Sequence, residues 1–150
     1  MNILEFMDDG IRLEEIISRC YESLADSCPG DRTRELMHKI SREEINHANT
    51  LRLGLEYIRK MPDLFGPQIM SPADLLAGIR QAEALLKDIV ARPELRAQLE
   101  RLLGLERQFD GVHMNTAVEI KEDSLKKLFE NLGRDERNHT EAINEILSVL

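Results

Sequence analysis

Apolar side chains recur along this chain at alternating intervals of three and four residues, the spacing that lines one face of an α-helix. One stripe runs Ile3, Met7, Gly10, Glu14, Ile17, Tyr21, Leu24, and a second runs Met37, Ile40, Glu44, His47, Leu51, Gly54, Ile58. A third comprises Leu95, Leu99, Leu102, Glu106, Phe109, His113, Thr116, Ile120, and a last one Leu125, Phe129, Leu132, Glu136, His139, Ile143, Ile146, Leu150. All five prolines, Pro29, Pro62, Pro67, Pro72 and Pro93, fall between stripes, where a missing N–H costs no helical hydrogen bond. Five helices are expected. The first spans about residues 2 to 27 and closes at Cys28-Pro29-Gly30-Asp31, whose glycine permits positive φ and whose aspartate can cap the next helix. The second reaches about Lys60. After a breaker-rich stretch from Met61 to Met70, Ser71-Pro72 opens a third helix, with a capping hydroxyl and proline at the first helical position, ending near Arg92. The fourth starts at Pro93-Glu94 and continues to about Lys121, and Asp123 is the expected cap of a fifth that reaches Leu150.

Composition agrees with this pattern. The chain has 150 residues, 42% of them apolar and only 4% aromatic, enough for one sizeable core built from aliphatic helices. An excess of 28 acidic over 20 basic residues, net charge −8, argues against nucleic-acid phosphates or anionic lipids as partners and leaves cations open. The two cysteines, Cys20 and Cys28, form no CxxC pair and read as buried or loop thiols. No basic start precedes an apolar run and no stretch could span a bilayer, so a cytoplasmic protein is expected.

The chemistry lies where the stripes are interrupted. Glu14, Glu44, His47, Glu106, Glu136 and His139 occupy positions that leucines should fill. An uncompensated carboxylate in a helical core costs several kcal/mol or takes up a proton, so four near one level call for a shared counter-charge. Two divalent cations supply it, with neutral His47 and His139 adding nitrogen donors. Glu44 to His47 and Glu136 to His139 are both i, i+3 pairs, about 4.5 Å apart along the axis on one helical face. His38 lies off the stripe and reads as solvated. An alternative, in which the glutamates merely pair with Arg42 and Arg134, requires both halves of the chain to mislead identically.

The halves do match. Glu14 to Glu44 and Glu106 to Glu136 are each separated by 30 residues, and an offset of 92 also superposes Leu13 on Leu105, Ala25 on Ala117, Leu36 on Leu128, Arg42 on Arg134, Asn46 on Asn138, His47 on His139 and Leu55 on Leu147. A single ExxH is weak; two, each preceded at the same distance by a buried glutamate inside an internal repeat, are specific.

On these residues the chain resembles the ferritin-like di-iron carboxylate proteins, in particular the rubrerythrin and bacterioferritin branch, over nearly its whole length. The resemblance implies one domain, an all-α ferritin-like four-helix bundle in which residues 1–60 and 94–150 form two hairpins and a crossover helix over 71–92 joins them. It implies two iron ions, with Mn or Zn as substitutes. Glu14 and Glu106 match the terminal glutamates, Glu44 and Glu136 the bridging ones, and His47 and His139 the terminal histidines. Tyr21, seven residues after Glu14, resembles a tyrosine that hydrogen-bonds a ligand, and His113 holds the corresponding place in the second half. Phe109 stands where full-length rubrerythrins carry an additional glutamate, their CxxC iron site is absent, and Ile45 replaces the haem-ligating methionine of bacterioferritin, so no haem is implied.

The expected function is that of an oxidoreductase reacting with peroxide or dioxygen and fed by an external electron donor. The alternatives are a ferroxidase that handles or stores iron, and a bundle that metal merely stabilises. A homodimer is implied by the resemblance, with the crossover helix packing either on its own bundle or on the second subunit.

Overall fold

The structure, a computed structural model, describes residues 2–109, 114–133 and 139–150. It is predominantly helical and bundle-like. Helix α1 (Ile3–Ala25) begins where the Asn2 side chain accepts from the Glu5 N–H at 2.9 Å. It turns through Gly30, whose φ of 78° is the left-handed backbone anticipated there, into α2 (Asp31–Lys60). Asp31 is the first helical residue rather than the cap; Gly30 occupies the cap position and makes no side-chain bond. The two helices form an antiparallel pair joined by the Phe6, Met7, Leu13, Ile17, Leu24 face of α1 and the Met37, Ile40, Leu51, Ile58 face of α2, all buried. Helix α3 (Pro72–Ala91) opens as expected, with the Ser71 hydroxyl accepting from the Asp74 N–H at 3.4 Å. It packs in cis on α1, burying Leu75, Ile79, Ala82, Leu85 and Ile89, while the Cys20 thiol faces the Ala82 carbonyl and Arg12 pairs with Glu83. Cys20 and Cys28 are both buried free thiols.

The second half departs from the sequence expectation. Instead of one helix to Lys121, α4 (Leu95–Gln108) stops, and a short α5 (Met114–Ala117) leads directly into a strand, β2 (Val118–Ile120). The strand pairs antiparallel with β1 (Phe65–Gln68), which follows a 3-10 turn over Pro62–Leu64. Backbone bonds from Ile69 N–H to Ala117 O at 2.7 Å and from Lys121 N–H to Leu64 O at 2.8 Å bracket the ribbon. Val118-Glu119-Ile120 is buried, exposed, buried, a period of two with β-branched residues on the inner face. Three residues are too few to separate that period from a helical one by sequence; the partner strand decides it. The two matching halves thus differ in backbone, since α1 is continuous where its counterpart is interrupted.

Helix α6 (Asp123–Gly133) is capped by Glu122, not Asp123: its carboxylate accepts from the N–H groups of Ser124 at 3.0 Å and Leu125 at 2.8 Å, which hold its pKa below the usual carboxylate value. Leu125 and Phe129 are buried, but Leu132, expected on the same stripe, is 43% exposed. Helix α7 (His139–Ser148) completes the chain, burying His139, Ile143 and Ile146 and packing along α4. Among the described residues no helix is long and apolar enough to cross a membrane.

Candidate metal centre

Five of the six ionisable groups that interrupt the apolar stripes lie among the described residues, and all five are buried together. Glu14 from α1, Glu44 and His47 from α2, Glu106 from α4 and His139 from α7 are each 7% exposed or less. Glu136 and His113 lie outside the described residues. Arg42 faces solvent on α2, so it does not neutralise these carboxylates from within the core.

The five groups form two overlapping sets whose donor atoms all fall within 4.8 Å of one another: Glu14, Glu44 and His47, and Glu44, Glu106 and His139. Glu44 belongs to both. Its Oε2 lies 3.4 Å from His47 Nδ1, and its Oε1 lies 2.7 Å from His139 Nδ1. His47 Nδ1 is also 3.3 Å from Glu14 Oε2, and His139 Nδ1 is 3.5 Å from Glu106 Oε2. The two imidazoles stack with centroids 5.4 Å apart and planes 18° from parallel. Despite its short approach to His139, Glu44 Oε1 makes no hydrogen bond among the described residues, so the imidazole N–H is not aimed at it.

Burial and charge bear on each group. Glu14 is pushed well above the usual carboxylate range by burial and by the neighbouring Glu44, against an opposing pull from His47. For His139 burial favours the neutral ring, but the carboxylates of Glu106 and Glu44 close to its Nδ1 outweigh it and raise its pKa to about 11. Carboxylate oxygens with imidazole nitrogens are a donor set suited to iron, manganese or zinc, so the residues fit a pair of such ions.

Two outer residues complete the site. The Tyr21 hydroxyl, buried and raised well above its ordinary pKa by burial and the Glu106 charge, donates to Glu106 Oε1 at 2.8 Å. Its spacing along the sequence associates Tyr21 with Glu14; the fold directs the hydroxyl to the carboxylate of the other half. Glu43 lies off the apolar stripe, and no sequence pattern singles it out. Its Oε2 lies 2.8 Å from His139 Nε2, and its Oε1 is 3.9 Å from the exposed Lys39 Nζ. The signal available was its position beside Glu44, but an acid on a half-exposed flank looks like any solvated charge. His38, read as solvated, makes a 3.0 Å contact to Glu22 at the surface.

Comparison with protein-family models, with curated proteins and with solved structures finds no match to this chain.

Proposed function

We propose that this protein binds two metal ions, iron in the working state, and acts as a di-iron carboxylate oxidoreductase on peroxide or dioxygen. The observation that carries the reading is Glu44, buried and shared, with one oxygen towards each of two histidines. Helical cores do not gather three carboxylates and two imidazoles without a counter-charge, because desolvation of each charge costs more than the apolar residue it replaces. The resemblance in motif and repeat to the ferritin-like di-iron proteins points the same way.

Glu14 and His47 would hold one ion, Glu106 and His139 the other, and Glu44 both, with Glu136 as the matching residue of the second ExxH. When bound, the iron pair supplies the two electrons that reduce hydrogen peroxide, with two protons, to two molecules of water, and an external donor restores them. Tyr21 holds Glu106 in place through its hydroxyl, and Glu43 holds His139. The surrounding aliphatic core keeps water from competing for the donors.

Anaerobically prepared protein titrated with Fe(II) is expected to bind two ions per chain and, with a chemical reductant, to consume many equivalents of peroxide. Binding of no iron overturns the metal reading. Two bound ions with no change in near-ultraviolet absorbance on adding peroxide overturn the redox reading and leave metal as a brace for the bundle.

A further inference from the structure

Between α1 and α2, one turn from the candidate metal centre, two buried serines grip each other. Ser18 Oγ donates to Ser41 O at 2.9 Å, Ser41 Oγ donates to Ser18 O at 3.1 Å, and the two hydroxyl oxygens lie 2.9 Å apart. Both residues are about as buried as the core around them, at 4% and 5% exposure. A helical serine or threonine ordinarily bonds a carbonyl of its own preceding turn. Two threonines of α2 do so: Thr50 donates to Asn46 O at 3.0 Å, and Thr33 donates to Pro29 O. Ser18 and Ser41 instead send their hydroxyls across to the facing helix.

Their place along the pair is specific. Four residues towards the N-terminus of α1 stands Glu14, and three residues towards the C-terminus of α2 stands Glu44; in an antiparallel pair these lie on the same side of the serines. On the other side, Glu22 and His38 meet at 3.0 Å. The clasp thus sits between a surface contact and the Glu14, Glu44, His47 set, all three of which belong to this one helical pair. Glu106 and His139, by contrast, come from α4 and α7. Alanine would fill both serine positions with better helix propensity, but it would not bond across the gap.

We propose that Ser18 and Ser41 are positioning residues, whose reciprocal bonds fix the separation and register of α1 against α2 so that Glu14, Glu44 and His47 stand preformed as the metal position that fills first. The proposal rests on the metal-binding reading above and adds to it the order of loading and the device that sets it. Sliding one helix by a single turn moves its residues about 5.4 Å, more than the span of the ligand set, so small losses of register are felt at the metal.

The test uses Co(II), whose visible bands report the geometry and number of its ligands, on the full chain. Wild type, Ser18→Ala, Ser41→Ala and the double variant are titrated, and helicity and thermal stability of the metal-free forms are recorded beside them. The expected result is a first Co(II) bound about tenfold more weakly in the double variant, with altered visible bands and smaller changes in each single variant, the size typical of losing a residue that orients a ligand. A folded double variant with wild-type affinity and spectrum, whatever its thermal stability, overturns the proposal and leaves the clasp an ordinary packing contact. Should the double variant not fold, wild-type affinity and spectrum in both single variants overturn it equally. Failure of the wild-type protein to bind Co(II) at all would remove the metal reading itself and the proposal with it, an outcome distinct from the other two.

Discussion

Glu43 Oε2 lies 2.8 Å from His139 Nε2, tying the ring whose other nitrogen faces Glu44 and Glu106 to a residue of α2. A carboxylate behind a ligating imidazole fixes its orientation and increases its basicity. Glu43→Ala is expected to leave two metals per chain while weakening their binding about 10- to 100-fold. Equilibrium titration with Co(II) checks this, and unchanged affinity would dismiss Glu43 as a surface acid.

Among the described residues the two candidate ligand sets have one member in common, Glu44. Glu44→Ala should therefore lose both ions, whereas Glu14→Ala should retain one. Metal content after dialysis separates the two cases. Retention of two ions by Glu44→Ala would refute the shared-ligand assignment.

Metal binding should release protons. His139 holds its proton to about pH 11 in the metal-free fold, and Glu14 holds its own well above the ordinary carboxylate value, against unfolded values near 6.5 and 4.5. Raised pKa values contribute stability that is complete below the unfolded values and fades as pH rises towards the folded ones. Ligation requires the deprotonated groups, so the thermal stabilisation produced by metal should grow as pH rises from about 6.5 towards about 11, the interval over which the metal-free protein loses the His139 contribution. Calorimetry in two buffers of different ionisation enthalpy counts the protons; a count of zero contradicts the burial argument.

Tyr21→Phe keeps the ring and strands an acceptor on Glu106 inside the core. A loss of about 1–3 kcal/mol in metal-free stability is expected, measured by urea unfolding. An unaffected midpoint would mean that Glu106 finds another donor.

A Cβ built on Gly78 of α3 would lie 2.3 Å from Phe109 Cζ, whereas one on Gly104 of α4 meets nothing within 4 Å. Gly78→Ala should destabilise by about 1–3 kcal/mol through overpacking, and Gly104→Ala should stabilise by about 0.5–1 kcal/mol through helix propensity. The Phe109 ring at the end of α4 is seated on that glycine, so the first substitution also tests what holds the helix end in place.

The sequence by itself determined the first three helices, the turn at Gly30, the Ser71 cap and the interruption of the apolar stripes by Glu14, Glu44, His47, Glu106 and His139, all of which the fold buries together. These are local signals: a 3.6-residue period, a missing N–H at proline, a positive φ at glycine, a hydroxyl at a helix start. Only the tertiary structure decided that α4 ends at Gln108 and that Val118–Ile120 is a strand, because a three-residue run takes its conformation from the strand beside it. It also decided that Tyr21 serves Glu106, that Glu43 supports His139 and that Ser18 and Ser41 clasp. Each of those contacts joins residues far apart in the chain, and the direction of a side chain across an interface depends on helix separation and register, which no periodicity within one helix contains.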